Sequence, residues 1–155
     1  MKKIKLIAAL AALTATASAV EINGKLIHAF ALTESPPHGI DHAAIGDGGK
    51  ARGAWQMHFA AFWDASEWLK ARGYKSAPWK TGAHDPTIAH QHAKVYMALT
   101  HSRLAKRMGR EPNAFELYAA YNLGVGGFAN RGFKIDACPS ATRNGIQRLK
   151  NHLTR

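Results

Sequence analysis

Glu34 is one of ten acidic residues in this 155-residue chain, and its surroundings set it apart. Ile27, Phe30, Ala31 and Glu34 fall at i, i+3, i+4 and i+7, so three apolar residues share a helix face with the carboxylate. Burial disfavours a charged carboxylate and raises its pKa. A glutamic acid that holds its proton near neutral pH can deliver it to a glycosidic oxygen. The competing reading of the same position is a surface glutamate at a frayed helix end. The company Glu34 keeps along the chain decides between them.

The elements that would position it are almost all helical, since helical spacing recurs and strand alternation hardly appears. Asn23 caps a first helix from about Gly24, and Pro36-Pro37 stops it, because proline disfavours a helical residue before it and donates no backbone hydrogen bond. Residues 36 to 53 read as a loop, with a small hairpin around Asp47-Gly48-Gly49. Helical spacing resumes at Trp55, Phe59 and Phe62 and runs to Leu69, after which Gly73 to Asp85 reads as another loop. Asp85-Pro86 pairs a cap residue with proline at the first helical position, opening a long helix whose apolar face carries Ile88, Val95 and Leu99 and which Gly109 ends. Asn113 and Glu116 have capping-box spacing and open a helix through Leu117, Ala120 and Tyr121 that stops at Gly124. A last helix carries Ile146, Leu149 and Leu153 on one side. No internal repeat or interdomain linker is visible, which predicts one mainly α domain.

Three short segments then fall in an order that matches a known family. They are Ala31-Leu32-Thr33-Glu34-Ser35, Arg52-Gly53-Ala54-Trp55-Gln56-Met57 and Ala119-Ala120-Tyr121-Asn122-Leu123-Gly124. Together they make the chain resemble the lysozyme-like superfamily, especially the soluble lytic transglycosylase domain and goose-type lysozymes, over roughly residues 24 to 128. The resemblance implies a mainly α, lysozyme-like single domain over 20–155, with a small β-hairpin beside an active-site cleft. It implies an exported enzyme that cuts the β-1,4 bond between the alternating sugars of peptidoglycan, with no cofactor. Glu34 would be the general acid and later the base. Gln56 and Ser35 would bind substrate, as would Tyr121, near Glu34, and Asn122. Inverting hydrolysis also needs a second carboxylate roughly 6.5–9.5 Å away. Asp41 and Asp47 lie in the loop where goose-type relatives carry that acid, although Asp47-Gly48-Gly49 is equally a turn sequence. Lytic transglycosylases use a single Glu and close an anhydro ring with the sugar's own hydroxyl. Both reactions stay open. The chain departs from the family at Pro36-Pro37, which follow Glu34-Ser35 in place of small residues. It departs again at Trp55, where a smaller aliphatic residue is usual; that indole would fill core space or stack on a sugar.

Composition frames the same expectation. Lys2, Lys3 and Lys5, an apolar run from Leu6 to Leu13, and Ala17-Ser18-Ala19 form the pattern of a secretory signal peptide over residues 1–19. That run is short for a membrane span, so no stable membrane anchor is expected, and the destination is the periplasm or the exterior. Eighteen of the 21 Lys and Arg lie beyond residue 19 against all ten acids, a net charge of +8. Such a chain seeks acidic partners, and export points to peptidoglycan glycan strands rather than nucleic acid. Small exported enzymes of this family also serve secretion, conjugation or phage assemblies. Cys138 is alone, so no intramolecular disulfide forms.

Other motifs are weaker. Nine histidines, His38, His42, His84, His90 and His92 among them, invite a metal site, but no His-Glu-x-x-His pattern occurs and His90 and His92 do not share a helix face, so no metal is expected. Gly124, Gly126 and Gly127 follow a helix rather than a strand, which suits a helix end better than a phosphate loop. Two rival functions remain: a non-catalytic glycan-binding module of the same fold, and a basic antibacterial protein acting on the cell envelope. The first has no use for a cleft acid, and the second would need its basic residues gathered on one amphipathic face.

Overall fold

A computed structural model of the chain describes residues 20–35 and 39–155. The leader at 1–19 and the Pro36-Pro37 pair with His38 lie outside the described residues. What is described is mainly helical with one small three-stranded antiparallel sheet.

Helix α1 (Gly24–Glu34) starts where expected. The Asn23 Oδ1 accepts from the Leu26 N–H at 3.0 Å, satisfying one of the backbone donors that a helix start leaves free. Ile27, Phe30 and Ala31 are buried, and Ser35 closes the helix by donating its backbone N–H to the Ala31 carbonyl. The segment after it carries β1 (Ile45–Gly46) and β2 (Ala51–Arg52), joined through a 3-10 turn at Asp47–Gly49. This is the anticipated hairpin. A third strand, β3 (Met57–His58), pairs with β2 so that Ala51 faces His58 and Arg52 faces Met57.

That strand corrects the expectation of a helix resuming at Trp55. Gln56 has φ 44°, a left-handed conformation no helix can hold, and the chain must then run extended to pair with β2. Helix α2 therefore begins at Phe59 and ends at Lys70. Trp55 is a core residue, 4% exposed, and its indole N–H donates to the Ile27 carbonyl at 3.0 Å. Gly53, in the same turn, has φ 71° and lies so close to the next layer that a Cβ would meet the Ala83 carbonyl oxygen at 1.8 Å. Only glycine fits there.

The expected loop from Gly73 to Asp85 contains one helical turn, α3 (Trp79–Gly82). Helix α4 (Pro86–Met108) is capped by Asp85, whose Oδ1 accepts from the Thr87 and Ile88 N–H groups at 2.9 Å, and it ends on Gly109 at φ 68°. Val95 is buried and Ile88 and Leu99 pack partly buried against the core, but the most buried line is Ala89, Ala93, Met97, Thr100 and Leu104. The reason is that α4 packs against α2 on one side and α5 on another, so one apolar stripe does not describe it. Helix α5 (Ala114–Ala129) opens with the anticipated capping box, and the Glu116 carboxylate also takes two hydrogen bonds from Arg110 at 3.0 and 2.6 Å. The chain breaks from helical geometry at Gly124 (φ 74°, ψ 153°), as expected, but then resumes. Phe128, fully buried with Leu104 and Cys138 in a second apolar cluster, holds the resumed turn in place. Helix α6 (Ser140–Leu153) packs on both α1 and α5 and completes the main core.

Candidate active site

Helix α1 delivers Glu34 at its last residue, where the side chain leaves the core and meets a cleft of about 520 Å³. Phe30, one turn earlier, is fully buried between two tyrosines of α5. Its ring stands edge-on to Tyr118 at 5.3 Å and 70°, and to Tyr121 at 5.3 Å and 88°. Such edge-to-face pairs contribute beyond their buried area, and here they fix the height of α1 against α5. One turn further on, the Tyr118 hydroxyl donates to the Glu34 Oε1 at 2.6 Å.

Tyr121, expected beside Glu34, also lines the cleft but points its hydroxyl elsewhere, donating to the Trp55 carbonyl at 2.7 Å. That bond ties α5 to the turn that carries Gln56. Residues 118 and 121 share a helix face, and Tyr118 is the one whose hydroxyl reaches the carboxylate. Tyr118 was legible as a core-facing i−3 neighbour of Tyr121. The vacancy that admits it was not. On α6, Gly145 faces the Tyr118 ring, and a Cβ there would stand 2.3 Å from the phenol oxygen.

Gln56 lines the cleft as expected, its amide donating to the Gly53 carbonyl at 2.9 Å. Its Oε1 lies over Gly46, where any side chain would collide with it at 2.0 Å. Asp47 lines the same cleft and lies 3.4 Å from the His58 Nε2, both groups being well exposed. Asp47 and Gln56 are two of the three non-glycine residues with positive φ among the described residues. Backbone of that kind costs about 1–3 kcal/mol and persists where the surroundings over-determine it. Asn122 lines the cleft too, its Oδ1 accepting from Thr142 at 2.7 Å.

Two expected residues sit elsewhere. Ser35 is buried, its hydroxyl donating to the Ala54 carbonyl at 3.0 Å, and it borders a separate depression beside Arg148. Asp41 shapes a turn, accepting from the Ala43 N–H at 2.8 Å, and does not line the cleft. The histidines are dispersed as well. His84 meets the His42 carbonyl and Arg52, His90 packs edge-on to Trp55, and His92 is buried against Ser66 and Phe62. Among the described residues no three His, Cys, Asp or Glu side chains gather in a way that would hold a metal ion.

The electrostatics follow from burial. Desolvation pushes the Glu34 carboxyl above its ordinary value, and the Tyr118 hydroxyl and the Arg148 guanidinium oppose that shift without cancelling it. Burial and the charge of Glu34 raise both Tyr118 and Tyr121, so each phenol stays a neutral donor. The arrangement is a cleft acid biased toward its protonated form, with a second carboxylate, an amide and a phenol on the facing walls. No family model, curated protein or solved structure matches the chain.

Two outcomes follow from this packing. Gly→Ala inside a helix ordinarily stabilises by about 0.5–1 kcal/mol, but Gly145→Ala forces Tyr118 aside. Overpacking of this sort costs about 1–3 kcal/mol, so urea unfolding should show a net loss. Glu34→Gln should do the reverse. A carboxyl whose folded pKa is raised gives its full stability below the unfolded value of 4.5 and loses it as pH rises through the folded value. The glutamine variant, which mimics the protonated acid, should therefore melt higher than the parent at pH 7 and equal to it below about pH 4.

Proposed function

We propose that the chain is a lysozyme-like, exported glycosidase that cleaves the β-1,4 linkage of peptidoglycan strands, with Glu34 as its general acid. One observation carries the reading: a helix-end carboxyl, held above its ordinary pKa by burial and hydrogen-bonded to a neutral phenol, opens into a polar cleft. A protonated carboxyl in that setting can give its proton to the departing sugar oxygen as the glycosidic bond breaks. The Tyr118 hydrogen bond then stabilises the carboxylate left behind, so the same group can accept a proton in the next step. Gln56 and Asn122 offer amide groups to sugar hydroxyls and acetamides. The net charge of +8 beyond residue 19 suits an anionic wall.

Two routes complete the reaction. Asp47, which lines the cleft, would activate water for hydrolysis. Alternatively the sugar's own hydroxyl attacks, with Glu34 taking its proton, and an anhydro end forms.

Purified protein lacking residues 1–19 and its Glu34→Gln variant, both incubated with peptidoglycan, test this directly. Acid–base catalysis by one positioned group is worth about 10²–10⁴-fold, so the variant should release fragments slower by that factor. Mass spectra of the products distinguish the routes, since anhydro ends are lighter than hydrolysed ends by one water. Equal release by parent and variant would remove Glu34 from the mechanism.

A further inference from the structure

The shoulder of the cleft carries an aromatic surface that acid–base chemistry does not use. Helix α2 leaves the sheet at Phe59, and Trp63 follows one turn later on the same side. The two side chains are 55% and 49% exposed, far more than rings of this size in a core. They lie side by side, centroids 5.9 Å apart and planes only 31° from parallel. Trp79 of α3 forms the facing wall, edge-on to Phe59 at 5.8 Å and 78°, and its indole N–H is anchored on the Met57 carbonyl at 2.9 Å. With Ser66, Ser76 and Lys70 these rings line a groove of about 370 Å³. The floor is closely packed: Phe62 is buried beneath and stacks on His92 at 4.0 Å and 9°.

The groove adjoins the cleft. Met57 and His58 precede Phe59, Ala60 and Ala61 follow it, and all four line the cleft that holds Glu34. A pyranose ring has an apolar C–H face and a polar rim. The Phe59–Trp63 surface matches the face. The Ser76 hydroxyl and the Lys70 ammonium, which stands 4.9 Å above the Trp63 ring, match the rim. Exposed aromatics beside cations also suit an anionic lipid surface. A concave groove whose Trp79 wall is hydrogen-bonded to the cleft-lining Met57 favours the strand.

We propose that the Phe59–Trp63–Trp79 groove is an accessory sugar-binding site that holds a distal part of the glycan strand whose scissile bond lies at Glu34. This rests on the glycosidase reading and adds a determinant of substrate length.

The test uses the full chain carrying Glu34→Gln, so that no bond is cut. β-1,4-linked N-acetylglucosamine oligomers of three and six sugars are titrated calorimetrically into this protein, and into the same protein with Trp63→Ala or Trp63→Phe added. Far-UV circular dichroism confirms that each is folded. An aromatic contact worth about 1.4 kcal/mol is tenfold in affinity. The hexamer should therefore bind Trp63→Ala about tenfold more weakly, with most of the loss restored in Trp63→Phe, while the trimer binds all three alike. Equal hexamer affinity in all three, or no hexamer binding at all, overturns the site. A parallel arm uses phosphatidylglycerol vesicles. Vesicle binding that falls in Trp63→Ala while hexamer binding does not would assign the surface to lipid and overturn the proposal. Fragment release by Glu34→Gln at the parent rate would defeat the catalytic reading separately, through a different readout.

Discussion

A carboxyl group at the end of α1 is drawn out of water and met there by one phenol, and much of the rest of the structure serves that meeting. The bond from Tyr118 to Glu34 joins residues 84 positions apart, so it exists only if α1 and α5 keep their separation and rotation to within a fraction of an ångström. Phe30 sets that separation by standing edge-on to Tyr118 and Tyr121 together. Helix α6 supports Tyr118 from behind, and it can do so only with no side chain at Gly145. Arg148 on the same helix donates to the Thr33 carbonyl at 3.2 Å and brings a positive charge toward Glu34. Burial and these partners pull on the proton in opposite directions, and burial prevails. A group balanced in this way can both give and take a proton, which a fully exposed or fully paired carboxylate does poorly.

The opposite wall is organised by backbone rather than by core packing. The sheet is only two residues per strand, too short to persist alone. It is held from below by Trp55, whose indole reaches the Ile27 carbonyl and whose own carbonyl receives the Tyr121 hydroxyl. The turn built on Gly53 and Trp55 therefore links α1, α5 and the sheet. Gln56 and Asp47 project from this frame in left-handed conformations that ordinary packing would avoid. Two of the three left-handed non-glycine residues among the described residues thus lie on this one wall.

The sequence was most informative where a helix face or a cap dictates structure. Asn23, Asp85, Asn113 and Gly109 mark helix ends by side-chain or backbone chemistry that works within a few residues, and all four act as expected. The apolar company of Glu34 correctly indicated a carboxyl partly withdrawn from water, though it opens into the cleft rather than the core. Where long-range geometry decides, local pattern was not enough. Trp55 looked helical because its spacing to Phe59 and Phe62 is helical, yet a positive φ at Gln56 and strand pairing override that spacing. Tyr121 lines the cleft near Glu34, but the hydroxyl that bonds the carboxylate belongs to Tyr118, which no local pattern singles out. Ser35 and Asp41 follow Glu34 closely in sequence, but Ser35 is tied to the Ala54 carbonyl 19 residues on and Asp41 to a turn N–H two residues on, both away from the cleft. The vacancies at Gly46 and Gly145 depend on residues distant in sequence and have no local signature.

Burial should make Glu34 hold its proton above the range of an ordinary glutamate, and a titration of that one carboxyl tests this. Protein labelled with ¹³C at the glutamate side-chain carboxyls would be titrated by NMR, with Glu34→Gln identifying the resonance. The midpoint should lie clearly above 4.5 and move higher still in Tyr118→Phe, which loses the hydrogen bond that favours the charged form. A midpoint at or below 4.5, or one that Tyr118→Phe leaves in place, would contradict it.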